Sequence, residues 1–181
     1  MFLPSLIKQF EYYKSLGEKT FDQLSDDQLF WQAHRESNSI GVIVKHLWGN
    51  MLSRWTDFLV SDGEKEWRDR EAEFDADITT RTELLKKWNE GWNCLLDAPG
   101  SLEEGNLNQT IYIRNQEHSV EEAIYRQLAH YAYHVGQIVF IGRQQCGDDW
   151  QSLSIPRGGS VAYNEAKFSK GQHGGHFTDD V

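Results

Sequence analysis

Cysteine and proline are scarce in this 181-residue chain, which has two of the first and three of the second. Cys94 and Cys146 are too few for a disulfide framework. Neither lies in a C-x-x-C pair, so no thiol–disulfide motif is expected. Long hydrophobic runs are also missing: nothing approaches the ~20 apolar residues that a membrane-spanning helix needs. The segment Met1-Phe2-Leu3-Pro4-Ser5-Leu6-Ile7-Lys8 has no positive region ahead of its apolar residues, and no signal peptide is expected. Positive charge is in short supply as well. Lys and Arg number 18 against 28 Asp and Glu, a formal charge of −10. That balance argues against a nucleic-acid binder, which displaces counterions from phosphate with a basic surface. It argues equally against docking on anionic lipid. Together these absences point to a reducing cytoplasm and to a small-molecule partner.

Aromatics, by contrast, make up 13% of the chain and include seven Trp, which excludes simple disorder. The length suits one domain with its own core. Phe2, Leu6, Phe10 and Tyr13 recur at helical spacing, predicting a helix from Phe2 to about Leu16. A short turn of helix around Ser25–Phe30 follows, with Ser25 as its cap. Ser39, with Asn38 as the alternative, caps a second long helix. Its apolar positions run from Ile40 through Trp55 to Phe58 and Leu59, and Asp62-Gly63 stops it. Residues 61–78 are charged and read as a loop, with Trp67 and Phe74 pinning it to the body. A third helix begins near Thr79 or Thr80, where Glu83 allows a capping box. It carries Leu84, Leu85, Trp88, Trp92, Leu95 and Leu96 and ends at Pro99-Gly100.

Gln109–Ile113 is β-branched and aromatic, and Arg114–Glu117 reads as a turn, so a small hairpin is expected. Ser119 and Glu122 form a capping box for a fourth long helix, which runs to about Gln145 with Gly147 as its stop. Trp150, Leu153 and Ile155-Pro156 read as an extended strap. After about Asn164 the composition predicts disorder. Four long helices with short or moderate connections indicate an all-α bundle.

Histidine is the main chemical resource. His130 and His134 are four residues apart on the last helix, so both imidazoles share one face about 6 Å apart along the axis. Two such rings can converge on a divalent metal. Tyr131 stands where the general-base Glu of H-E-x-x-H would be, so the metal reading survives and the metalloprotease reading fails. By itself the spacing is a weak signal and more often marks a surface or core pair. His46 adds weight. It lies between Val44 and Leu47 on the second long helix, and bundle cores build metal sites from facing helices. Three imidazoles leave open coordination positions, the mark of a catalytic site.

The sequence resembles the DinB-like superfamily of metal-binding four-helix bundles over about residues 1–160. The resemblance rests on Ser39-Ile40-Gly41-x-x-x-x-His46-Leu47-x-Gly49-Asn50, on Gly63-Glu64-Lys65-x-Trp67, and on His130-x-x-x-His134-x-Gly136-Gln137-Ile138. The segment Trp150-Gln151-Ser152-Leu153-Ser154-Ile155-Pro156-Arg157-Gly158 is similar to a largely uncharacterised branch with Trp-Thr-Asp-Phe-Leu, residues 55–59 here. The resemblance implies an up-down-down-up four-helix bundle over residues 1–160, with a flexible tail over 161–181. It implies a divalent metal, Zn or Ni, on His46, His130 and His134, and a homodimer. Relatives include bacillithiol-using S-transferases and mycothiol-dependent isomerases. The implied activity is therefore metal-dependent transfer of a low-molecular-weight thiol such as bacillithiol onto an electrophile, in stress or detoxification. A metal-dependent hydrolase and a non-catalytic metal-binding stress-associated dimer are the alternatives.

Several residues stand beside this candidate site. Asn50, one turn after His46, can contact a ligand or the backbone. Gln137 can orient a metal ligand or simply pack. Tyr133 can place a phenol near the pocket. Trp48, Trp55, Trp88 and Trp92 read as core more readily than as a pocket lining. Arg54 and Arg143 could grip a carboxylate, and His118 could approach the metal end of the bundle. His34, His173 and His176 read as loop or tail residues. Nothing near Cys94 or Cys146 lowers a thiol pKa, so a thiol nucleophile would come from the substrate.

Overall fold

A computed structural model describes residues 2–180. The chain is mostly helical, with a two-stranded antiparallel hairpin before the last long helix. Helix α1 spans Phe2–Phe21, α2 Asp26–Leu29, α3 Ile40–Trp55 and α4 Arg81–Gly100. Strands β1 (Thr110–Ile113) and β2 (Gln116–Ser119) precede α5 (Val120–Cys146), and α6 (Ser160–Phe168) lies in the tail. The four long helices touch in a ring: α1 packs on α4 and α5, and α3 packs on the same two.

Helix α1 runs one turn further than its apolar period predicts. Gly17, which loosens the pattern, lies under the Trp88 ring, where a Cβ would collide. It is a packing residue and not a stop. Phe10, Phe21, Leu84, Trp88, Trp92 and Tyr131 fill the ring's interior. Trp88 meets Phe21 at 5.0 Å and Trp92 at 5.4 Å between ring centroids. The Tyr131 hydroxyl accepts from Trp55 Nε1 at 2.9 Å and donates to Asn50 Oδ1 at 3.1 Å. This buried pair of bonds ties α5 to α3.

Helix α3 starts as expected, with the Ser39 hydroxyl accepting the Val42 amide. It stops at Trp55 instead of Leu59. Asp57 adopts φ +49°, a left-handed conformation that Asp tolerates, and Phe58 reaches the core from the turn that follows, its ring 5.3 Å from Trp55. The segment 61–78 is a loop; Trp67, 59% exposed, does not pin it, whereas Phe74, half-exposed, stacks its ring on His46 of α3 at 5.1 Å. Glu73 adds a second tie, a bond to His46 of α3 at 2.9 Å, and is itself held by Arg68. Arg68 and Glu73 are buried and bonded bidentately at 2.6 and 2.9 Å. Burying two charges together satisfies groups that neither could bury alone.

In α4 the Thr80 hydroxyl accepts the Glu83 amide, which is half of the expected capping box. The hairpin turn is confined to Arg114-Asn115, both left-handed at φ 56° and 59°. A two-residue loop of that kind matches strand twist. Asp62 accepts both of their amides at 2.8 Å, and that of Glu64 at 2.7 Å. The Ser119–Glu122 box is complete, and Gly147 (φ +62°) ends α5.

In the tail, Gln23 and Gln151 exchange hydrogen bonds of 2.7 and 3.2 Å, holding the chain after α5 against the end of α1. Beyond Asn164, where composition predicts disorder, the structure instead continues α6. A 3₁₀ turn, Phe177–Asp180, then docks on α1 through Asp179–Lys8 at 2.6 Å and His176–Ser5 at 3.0 Å.

Candidate metal centre

The three histidines singled out from the sequence meet. His46 lies on α3, and His130 and His134 lie one turn apart on α5. Their ligand atoms all fall within 4.8 Å of one another. His130 Nε2 is 3.3 Å from His46 Nε2 and 3.1 Å from His134 Nε2. Imidazole nitrogens on a tetrahedral metal at ~2.0–2.1 Å are about 3.3–3.4 Å apart, so the two separations from His130 are close to those of a ligand set.

The outer nitrogens set the tautomers. His46 Nδ1 is 2.9 Å from Glu73 Oε2. Burial opposes ionisation of Glu73, but hydrogen bonds from His46 and Arg68, and the Arg68 charge, outweigh it and hold the carboxyl below its ordinary range. An ionised carboxylate only accepts, so His46 carries its proton on Nδ1. At the other end, Gln137 Nε2 donates to the Tyr133 hydroxyl at 3.1 Å. That turns Gln137 Oε1 toward His134 Nδ1 at 2.7 Å, so His134 also carries its proton on Nδ1.

Both Nε2 lone pairs therefore face His130 Nε2. A proton there could bridge to one of them and would leave the other facing a nitrogen. A divalent cation satisfies all three lone pairs at once, and the residues present fit one. Burial, reinforced by the neighbouring imidazoles and nearby arginines, pushes His130 down to about 3. Burial and His46 push His134 down to about 4. Both rings are neutral at pH 7, the form that ligates. Among the described residues, no Cys, Asp or Glu joins the cluster as a fourth member.

The other expected residues divide. Gln137 orients His134, and Tyr133 reaches the site through Gln137 and by packing its ring 4.9 Å from His134. Asn50 accepts from the Tyr131 hydroxyl and so fixes the residue next to His130. Arg54 is occupied internally by Gly63 O and Glu64, and Arg143 is exposed near the end of α5. His118 bonds the Gln116 carbonyl on the hairpin, and His34 accepts from Glu36 in a loop. His173 bonds the Gly171 carbonyl, and His176 bonds Ser5. Trp55, Trp88 and Trp92 are core, while Trp48 lies under the Lys87 ammonium. The two cysteines are free, and burial pushes the Cys94 thiol up.

Sequence reasoning missed Glu73, its partner Arg68, and the role of Phe74, whose ring stacks on His46 at 5.1 Å. One signal was available in Gly49. A Cβ there would collide with the Glu73 carboxylate, so the glycine three residues after His46 makes the seat for that carboxylate.

A family model described as a protein of unknown function, DUF1572, matches residues 1–159. The chain belongs to the DUF1572 family. Its fold family is DinB/YfiT-like, in keeping with a helical body and a histidine cluster on two of its helices. No curated protein and no solved structure matches the chain. The DUF1572 match spans α1 to the end of the strap, and so includes all three histidines, Glu73 and Gln137.

Proposed function

We propose that this DUF1572 protein is a divalent-metal enzyme built as an up-down-down-up four-helix bundle. In this reading His46, His130 and His134 hold Zn or Ni, and the protein transfers a low-molecular-weight thiol, such as bacillithiol, onto an electrophile in stress or detoxification. We place it in the cytoplasm, as a homodimer. The observation that carries the reading is the convergence of three Nε2 atoms, with the tautomers of His46 and His134 set from behind by Glu73 and Gln137. A bound divalent metal lowers the pKa of a coordinated thiol or water and so supplies a nucleophile at neutral pH.

The chain's residues do the rest. Glu73 holds the proton of His46 at Nδ1 and fixes the plane of its ring. Gln137 does the same for His134. Burial keeps His130 and His134 neutral, and Phe74 and Tyr133 cover the flanks of the cluster. The raised Cys94 thiol pKa fits a nucleophile that arrives with the substrate. The absence of a fourth candidate ligand among the described residues favours this open site over a closed, purely structural one.

Elemental analysis of the purified protein beside a His130→Ala variant tests the metal. About one equivalent of Zn or Ni, lost in the variant, is expected. No metal in either protein after reconstitution overturns the proposal. Metal-dependent conjugation of monobromobimane to a low-molecular-weight thiol tests the transfer. A loaded protein without such turnover leaves the non-catalytic metal-binding dimer.

A further inference from the structure

Gly136 marks space that the chain leaves empty. The buried glycines of the long helices have neighbours where a side chain would go: Trp88 over Gly17, Phe30 over Gly41, Glu73 over Gly49, Met51 over Gly91 and Thr20 over Gly142; Gly136 and the helix-end Gly100 are exposed and have none. At Gly136 an added Cβ would meet no heavy atom within 4 Å. Glycine in a helix interior costs about 1 kcal/mol relative to alanine, and no contact within the chain accounts for it here.

That space belongs to a cleft of about 430 Å³ walled by Ile43, Tyr133, Phe140 and Ile141. The volume is in the range of small-molecule sites. Every residue lining it is uncharged. Tyr133 and Phe140 are 63% and 70% exposed, large rings left without cover. The cleft meets the histidine triad through Gln137 alone, which lines it and bonds His134 at Nδ1; no histidine lines it. The Tyr133 hydroxyl accepts from Gln137, and its own proton has no acceptor among the described residues.

We infer that the cleft over Gly136 binds the uncharged, aromatic or branched apolar part of the small molecule handled at the neighbouring triad, with the Tyr133 hydroxyl donating to an oxygen on it. The assignment of that molecule to the triad rests on the proposed function; the cleft's preference does not. An ionic ligand finds no counter-charge on its walls, whereas an apolar ring gains burial against Tyr133 and Phe140.

Equilibrium dialysis of the purified full chain against 2-acetylnaphthalene and against 2-naphthoate tests this, with Gly136→Leu as the plug. The neutral ketone is expected to bind at least tenfold more tightly than the carboxylate. Gly136→Leu is expected to weaken it at least tenfold while the metal content stays as in the wild type. If the leucine variant does not fold, Gly136→Ala puts a methyl group into the same space and is expected to weaken binding at least twofold. Equal binding of the two probes overturns the inference, as does no binding, or binding unaffected by the plug. A plug that turns a dimer into a monomer without changing probe binding also overturns it and gives the space to a second copy. The metal reading fails on metal content and this one on probe binding, so the two failures are distinct.

Discussion

Replacing Glu73 by Gln should separate two jobs that one carboxylate performs. Glu73 accepts from His46 at 2.9 Å and from Arg68 at 2.6 and 2.9 Å, and the Arg68 side chain is 1% exposed. In Glu73→Gln the buried guanidinium loses its bidentate partner and keeps only the Glu64 carboxylate, 3.5 Å away; removing one partner of a buried pair typically costs about 3–5 kcal/mol. At roughly 2–4 °C per kcal/mol for a domain of this size, the metal-free protein should melt about 6–20 °C lower. Loss of the carboxylate behind His46 should separately weaken metal binding about 10–100-fold, read by chelator competition. The double variant Arg68→Gln/Glu73→Gln removes the guanidinium that has lost its bidentate partner. It should recover most of the stability and none of the affinity. A Glu73→Gln protein that melts within a degree or two of wild type and binds metal equally well refutes the reasoning, because Glu73 then neither neutralises Arg68 nor orients His46.

Three further outcomes follow from the same geometry. Gly49→Ala should lower metal affinity at least tenfold in chelator competition although alanine is the better helix former, since its Cβ takes the place of the Glu73 carboxylate. Tyr131→Phe should cost about 1–3 kcal/mol in urea unfolding, because Trp55 Nε1 and Asn50 Oδ1 lose a buried partner. Asp62 gives the pH dependence. Burial raises its pKa, but amides of Asn115, Glu64 and Arg114 outweigh that and bring it below 3.8. Its stabilisation is therefore full above the unfolded value near 3.9 and is lost as pH falls through the lower folded value. Asp62→Asn should be less stable than wild type at pH 7, and the gap between them should close in acid unfolding below about pH 4.

Much of this architecture is legible in local chemistry. Ser39 and Ser119 announce their helices because a hydroxyl one residue ahead of an apolar period has an orphan amide to accept. The triad is legible because a four-residue spacing places His130 and His134 on one face, and because His46 stands among core positions. Glu73 and Arg68 are not legible. They sit in a run where acids and bases alternate without period, and a run of charge reads as solvated until its partner is known. Of the two anchors that hydrophobicity picks out, Phe74 packs on His46 and Trp67 stays exposed, while the bond from Glu73 to His46 supplies a tie that hydrophobicity does not report. The end of α3 escaped because Phe58 keeps helical spacing while Asp57 turns the backbone. In the tail, contacts with α1 order residues whose composition has no strong preference of its own.

The three candidate ligands stand on helices locked by the packing around Trp88, Trp92 and Tyr131, whereas the carboxylate behind His46 comes from the connection between α3 and α4. Connections tolerate insertion and exchange far better than packed helices do. The part that holds a metal and the part that adjusts it are thus separable. Grafting a different segment over residues 61–78 offers a way to change the electron-donating character of His46, and with it the choice of metal, while the scaffold stays as it is.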